Sequence, residues 1–216
     1  DEAGFLAGVR GWAGGVRVAT IFMLLGQLDH AAGAFERTLR LNPDSREAQW
    51  GKAECLLLSG EVEGAMQTVS AVLDDRPDGW VIAALCAEAG GHIESMATLL
   101  DRARRGLDQG FVAPHRVEGH ADACALLSIY RGEPEPLSGP FGQLAALMQG
   151  RYEPVARGGV RGVEVTTIKR LLRYLLERGQ TQWLVPLLDQ RADRLLPGIE
   201  TAVHDVITAF GKDLSP

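Results

Sequence analysis

The sequence has few cysteines, almost no lysine and no long apolar run. Only three of its 216 residues are cysteines, and lysine occurs only at positions 52, 169 and 212. Basic residues number 22 against 28 acidic ones, which gives a net charge of −6. Proteins that coat nucleic acids or adhere to membranes normally present a dense basic face, so this balance argues against both. No apolar run reaches the roughly 18 residues that a membrane-spanning helix needs.

The cysteines favour a reducing compartment. The cysteines are odd in number and lie far apart, and each stands in an apolar stretch: Cys55, Cys86 and Cys124. This usage is typical of buried, reduced thiols and not of a disulfide framework. With 46% hydrophobic and 23% charged residues, the composition is that of a globular chain. We therefore predict a globular, cytoplasmic protein.

The first half of the chain repeats itself at a constant interval. Gly26 aligns with Gly60, and Pro43 aligns with Pro77. Residues of like chemistry match at the same separation: Ala19 with Ala53, Phe22 with Leu56, Ala31 with Ala65, Phe35 with Val69 and Leu39 with Leu73. Glycine commonly ends a helix, and apolar residues at every fourth position form a stripe along one. Each unit therefore predicts two antiparallel helices joined at the glycine.

These units resemble tetratricopeptide repeats. The family pattern has a small and then a larger apolar residue in the first helix, and Gly between the helices. Ala and an aromatic or aliphatic residue follow in the second helix, with Pro near its end. Over residues 12–78 the sequence departs from this pattern at Gly15 and Gln49, where a bulky residue is usual, and at Thr38, where a small apolar one is. A third unit, at a slightly shorter interval, turns at Gly91.

The resemblance implies an all-α, right-handed solenoid of stacked antiparallel helix pairs. We predict regular pairs over residues 1–110. Residues 111–216 are expected to hold degenerate helical repeats, continuous with the first part, and a C-terminal capping helix. Within this half the sequence predicts helix ends at Gly132 and Gly150, a loop over 157–162, and a helix pair over 166–177 and 182–196 that is broken at Gly179. Pro186 is expected to kink the second helix of this pair or to delay its start. The final helix is predicted over 199–210.

Catalytic and metal-binding patterns are not evident. His115, Glu118, His120 and Cys124 are the only cluster with metal-ligand residue types. Zinc needs about four ligands in a defined geometry; His120 and Cys124 share one helix face, but Glu118 is poorly placed. We predict that Cys124 packs in the core and that the protein uses no metal or cofactor and is not an enzyme.

By the same resemblance, the chain is expected to be a non-catalytic scaffold that binds another protein or a peptide in a concave groove lined by the first helices. The groove strip would be mixed apolar and charged, with Trp50 as its main anchor. No nucleic-acid or membrane partner is expected. The residues predicted to line the groove are Trp50, Glu54, Leu57, Val81, Leu85, Glu88, Asp122, Leu126, Lys169 and Arg173.

Three alternatives stay open at the level of sequence. In the first, the protein's own C-terminal segments fill the groove. In the second, the stack self-associates through its ends. In the third, the chain is the repeat-bearing portion of a larger bacterial enzyme of glycosyltransferase or sulfotransferase type, whose catalytic domain lies elsewhere. The sequence opens at Asp1 and not at Met, which is compatible with this third interpretation.

Overall fold

A computed structural model of the chain describes residues 11–73, 76–107, 114–133, 139–158, 163 and 165–213. Every regular element in these ranges is helical, so the predicted all-α class of helix pairs is confirmed. The α-helices are α1 (Trp12–Leu24), α2 (Leu28–Leu41), α3 (Arg46–Leu58), α4 (Val62–Ser70), α5 (Pro77–Ala89), α6 (Ile93–Leu107), α7 (Pro114–Tyr130), α8 (Gly139–Met148), α9 (Tyr152–Gly158), α10 (Val165–Glu177), α11 (Gln190–Leu195) and α12 (Ile199–Asp213). Two short 3-10 helices, Thr181–Trp183 and Val185–Leu188, separate α10 from α11.

The chain divides into two compact units, which we call unit 1 (residues 1–116) and unit 2 (residues 117–216). The boundary predicted after residue 110 falls in residues 108–113, outside the described part of the chain. Unit 1 contains the three predicted helix pairs, α1–α2, α3–α4 and α5–α6. The helices of each pair pack against each other, and α3 and α5 also pack on the second helix of the preceding pair.

Glycines make the turns inside these pairs, as the repeat predicts. Gly26, Gly60 and Gly91 have φ of 72°, 84° and 78°, a left-handed conformation that is strained for residues with a Cβ. After each glycine the next backbone N–H donates back to a carbonyl in the last helical turn, as Gln27 does to Phe22 at 2.9 Å. This pattern closes the helix end and sends the chain into the second helix.

The repeat register sets the core between successive pairs. Phe35 of α2 packs with Ala48 and Cys55 of α3 in one buried cluster. Its ring occupies the space where a Cβ on Gly51 would stand, so that position admits only glycine without rearrangement. One repeat later, Ile82 and Cys86 of α5 pack under Val69 of α4. The same face of each first helix therefore docks on the preceding second helix.

Two departures from the family pattern compensate for each other. Gly15 of α1 faces Thr38 of α2 so closely that a Cβ on Gly15 would overlap the Thr38 hydroxyl. That hydroxyl is buried and donates to the carbonyl of Ala34 at 2.9 Å. Gly15, at a position where a bulky residue is usual, thus leaves room for the polar Thr38, at a position where a small apolar residue is usual.

Unit 2 repeats the glycine turns but not the regular pairs. Gly132, Gly150 and Gly179 have φ near 70° and end α7, α8 and α10 as predicted. The helix predicted over 182–196 begins only at Gln190, in agreement with the delay expected from Pro186, which has no backbone N–H; two 3-10 turns precede the short α11. The predicted loop over 157–162 is wrong at its start, since α9 continues to Gly158; residues 159–162 lie outside the described part.

The predicted C-terminal capping helix is present. In α12 the side chains of Ile199, Val203 and Val206 are buried, and α12 packs on α10. The buried face of α10 contributes Leu171 and Leu175. This amphipathic pairing gives unit 2 its own core.

Candidate partner-binding surface

The first helices of unit 1 lie side by side. α1 contacts α3, and α3 contacts α5, in addition to the contacts that each makes within its own pair. Equivalent positions therefore recur along the row, as Thr20, Glu54 and Leu85 do. Side chains that these helices expose at one register position form a single surface running across the three pairs.

Trp50 does not belong to that exposed surface. Its side chain is only 3% exposed and packs in the cluster that joins the second and third pairs. The guanidinium of Arg76 lies over the ring, with its Cζ 4.4 Å from the centroid, and bonds Glu47 at 3.2 Å. Among the described residues, the buried indole Nε1 has no hydrogen-bond partner. Trp50 is thus placed to hold the stack together and offers almost no surface to another molecule.

The other predicted residues of unit 1 fall into two groups. Val81 and Glu88 of α5 are buried. Glu54, Leu57 and Leu85 are half-buried and keep part of their side chains at the surface. The second group is therefore accessible to a partner in this structure, while the first supports it from below.

Sequence reasoning misses two highly exposed apolar residues on this row. Leu24 of α1 is 79% exposed and Leu58 of α3 is 58% exposed. They stand one repeat apart, as Gly26 and Gly60 do, and Leu58 lies one helical turn beyond Glu54 on the same face. The repeat register could have identified them. We call the set of equivalent surface positions the first-helix strip: Thr20 and Leu24 of α1, Glu54 and Leu58 of α3, and Leu85 and Ala89 of α5.

In unit 2 the predicted groove residues take part in internal contacts. Leu126 is buried. The carboxylate of Asp122 lies against the backbone of Gly139 at the start of α8, where a Cβ would overlap it. Gly139 has φ of 60°, which together with this close approach requires glycine.

Lys169 and Arg173 of α10 are bound to the C-terminal helix. Lys169 Nζ lies 2.7 Å from Asp205 Oδ2, and Arg173 Nη2 lies 2.8 Å from Asp213 Oδ2. Arg173 Nε also donates to Glu177 at 3.0 Å, and these hydrogen bonds raise the pKa of the Arg173 guanidinium. On this face of α10 the C-terminal helix α12 therefore engages both cations that were predicted to line the groove.

The candidate metal cluster reduces to one pair of side chains. His120 is buried, and its ring nitrogens lie 3.7 and 3.8 Å from the Sγ of half-buried Cys124. The side chains of His115 and Glu118 lie outside the described part of the structure. In the part that is described, no three His, Cys, Asp or Glu residues are grouped as metal ligands.

The thiols of unit 1 belong to the packed interior. Burial raises the pKa of Cys86 to about 11. Burial, with a smaller contribution from the Glu54 carboxylate, raises the pKa of Cys55 to about 11 as well. Both cysteines are held protonated where α3 and α5 dock on the preceding pair.

Comparison with known proteins supports the repeat assignment. The tetratricopeptide repeat family model matches residues 19–79, which run from the second half of α1 to the start of α5. No curated protein and no solved structure gives a significant match to the chain. Across the described ranges, none of the helices combines the length and the apolar character that crossing a bilayer requires. Residues 19–79 therefore match tetratricopeptide repeats, which generally serve as scaffolds for protein–protein interaction.

Proposed function

We propose that unit 1 binds a segment of another protein along the first-helix strip, without a chemical step. The observation that supports this most is the exposure of leucine at equivalent positions of α1 and α3, on the row where the first helices contact one another. Regularly spaced apolar side chains at a surface are typical of sites that receive a peptide or a helix through a few anchor residues.

The chemistry of the strip defines the expected partner. Leu24, Leu58 and Leu85 would receive apolar side chains, and the half-buried carboxylate of Glu54 lies between them in sequence register. A basic or hydrogen-bond-donating side chain next to an apolar anchor would complement this arrangement. We therefore expect a segment with apolar residues at helical or extended spacing.

The proposed surface is limited to unit 1. Lys169 and Arg173 of unit 2 are held by the carboxylates of α12, and a partner would have to displace both ion pairs to reach them. Trp50, Val81 and Glu88 enter the proposal as buried supports that fix the strip's geometry and not as contact residues.

Site-specific photo-crosslinking tests this proposal. A photoreactive amino acid is placed at Leu58 or, as the matched control, at Leu41, which is 76% exposed on the second helix α2. Crosslinked proteins from cells of the source organism are identified by mass spectrometry. We expect a defined partner from the Leu58 position and none from Leu41. Equal crosslinking at both positions would contradict binding at the strip.

Substitution then measures the contribution of the same side chain. Leu58→Ser should weaken binding of the captured partner about tenfold, because an apolar anchor is lost. Leu41→Ser makes the same chemical change outside the strip and should leave affinity within about twofold. Unchanged affinity in Leu58→Ser would count against the strip as the binding surface.

A further inference from the structure

Unit 2 contains an open cleft of about 450 Å³ between α9 and α11 that the scaffold function does not use. Among the described residues, its lining is formed by Tyr152, Glu153, Ala156, Arg191, Arg194 and Leu195. Both helices are well placed to fix these side chains, because α9 and α11 pack directly against each other. The volume is within the range of cavities that bind small molecules in proteins.

The aromatic wall of the cleft is held in position. The Tyr152 hydroxyl donates to the carbonyl of Pro186 at 3.1 Å, which ties α9 to the 3-10 segment before α11. Burial and, next, the Asp189 carboxylate raise the pKa of Tyr152, so the ring stays a neutral phenol. Arg191 Cζ lies 6.0 Å from the ring centroid. The ring therefore presents a fixed apolar face next to a cation.

The cationic side of the cleft is not neutralised within the part of the chain that the structure describes. Neither Arg191 nor Arg194 forms an ion pair there, although the whole chain carries a net charge of −6. Two nearby carboxylates accept backbone N–H groups: Asp189 accepts that of Arg191 at 2.7 Å, and Asp193 accepts that of Gly198 at 2.9 Å.

The carboxylate at the rim is also engaged. Glu153 lines the cleft, but it pairs with Arg157 one helical turn away. A carboxylate can pair with a guanidinium in a planar, bidentate arrangement, whereas inorganic phosphate has no apolar part to contact the rest of the cleft. Ala156, Leu195 and the Tyr152 ring provide apolar surface for the remainder of a ligand.

We propose that this cleft binds a small amphipathic carboxylate, with the carboxylate at Arg191 and Arg194 and the apolar body against Tyr152, Ala156 and Leu195. The site belongs to unit 2 and does not depend on the first-helix strip. The ligand class follows from two features. Arg191 and Arg194 have no ionic partner in the described chain, and they lie beside apolar surface. A ligand with one negative group attached to an apolar body would complement both features.

The test is a two-dimensional ¹H–¹⁵N NMR titration of the full chain with 4-phenylbutyrate. We expect saturable shifts of the amide signals of Tyr152–Gly158 and Gln190–Leu195. The neutral analogue 4-phenylbutanol and inorganic phosphate serve as matched probes, and each should bind at least about tenfold more weakly. Absence of shifts in these helices, or equal binding of either matched probe, would overturn the proposal.

Variants separate the site from general charge effects. R191Q/R194Q should weaken 4-phenylbutyrate binding about tenfold, whereas R104Q/R105Q, which removes the same charge from α6, should not change it. Ala156→Leu keeps both arginines but fills the cleft and should also weaken binding. The same spectra report whether each variant is folded. Unchanged affinity in folded R191Q/R194Q or in folded Ala156→Leu would refute the site.

Discussion

Both units contain glycine turns between helices, but their helices pack in different ways. In unit 1, each first helix docks on the second helix of the preceding pair at one fixed register, so that Cys55 and Cys86 fill equivalent buried places. In unit 2 the glycine turns persist, but α10 packs on α12, and Lys169 and Arg173 pair with carboxylates of that helix. A regular register leaves a row of equivalent positions at the surface of unit 1, whereas in unit 2 the C-terminal helix covers one face of α10.

The largest expected effect is on the stack of unit 1. Trp50→Ala removes a large buried side chain from the cluster between the second and third pairs, and we expect a loss of about 3–5 kcal/mol in the free energy of unfolding. Amide hydrogen exchange measured by mass spectrometry should accelerate in α3, α4 and α5 and remain unchanged in α10 and α12.

Trp12→Ala is the matched control for that change. Trp12 is 42% exposed at the start of α1, so the same truncation should cost much less than at Trp50. If Trp50→Ala and Trp12→Ala destabilise the protein equally, the placement of Trp50 as the packing residue of the stack is wrong.

The next effect concerns the entry to α8 in unit 2. Gly139 has φ of 60° and faces the Asp122 carboxylate, whereas Gly150 has φ of 68° and open space around its Cα. Gly150→Ala should lose about 1–2 kcal/mol from backbone strain alone. Gly139→Ala should lose more, because the added Cβ also displaces Asp122. Chemical denaturation followed by circular dichroism measures both, and equal losses would contradict a tight Asp122–Gly139 contact.

Thiol reactivity compares the two units directly. Cys55 and Cys86 have pKa values of about 11, so at pH 8 each forms about a hundredfold less thiolate than an ordinary thiol. Half-buried Cys124 in unit 2 should therefore react first with iodoacetamide, as read by peptide mapping. Labelling of Cys55 or Cys86 at the rate of Cys124 would show that the packing of unit 1 is looser than described.

The same pKa shifts predict an alkaline limit for unit 1. A thiol whose pKa is raised on folding stabilises the folded state below its unfolded pKa of about 9, and that contribution is lost as the pH rises through about 11. Cys55→Ala/Cys86→Ala should therefore reduce the part of the stability loss that occurs between these pH values. A pH profile unchanged by the double substitution would contradict this assignment.

The smallest expected effect is on the ion pair that joins α10 to α12. Lys169 and Asp205 are largely solvent-exposed, so Lys169→Met should cost only about 0.2–1 kcal/mol at low salt. The difference from the unsubstituted protein should decrease as ionic strength rises. A salt-independent loss of several kcal/mol would show that this pair does more than attach α12.

Much of this comparison could be predicted from sequence, because local signals determine it. The constant repeat interval places the turns at Gly26 and Gly60, and the apolar face of α12 identifies a capping helix. The burial of individual side chains was not predictable from the sequence. Trp50 shares its register position with Val16 and Val81, and only the packing of neighbouring pairs decides how far a side chain at that position is buried.

The helix α9 and the ion pairs of unit 2 were also not predicted from the sequence. Sequence reasoning predicts no helix before the loop over 157–162, whereas α9 begins at Tyr152; its Pro154 lies in the first turn, where proline is tolerated. The ion pairs of Lys169 and Arg173 join residues 36 and 40 positions apart, and no periodic signal in the sequence specifies such contacts.

The central claim is that unit 1 binds a partner along its first helices, whereas in unit 2 α12 covers Lys169 and Arg173 of α10. The most direct test is amide hydrogen exchange of the full chain, measured with and without the partner protein that crosslinks to position 58. We expect slower exchange in α1, α3 and α5 and no change in α10 and α12. Slower exchange confined to α10 and α12, or no change in the first helices, would contradict the claim.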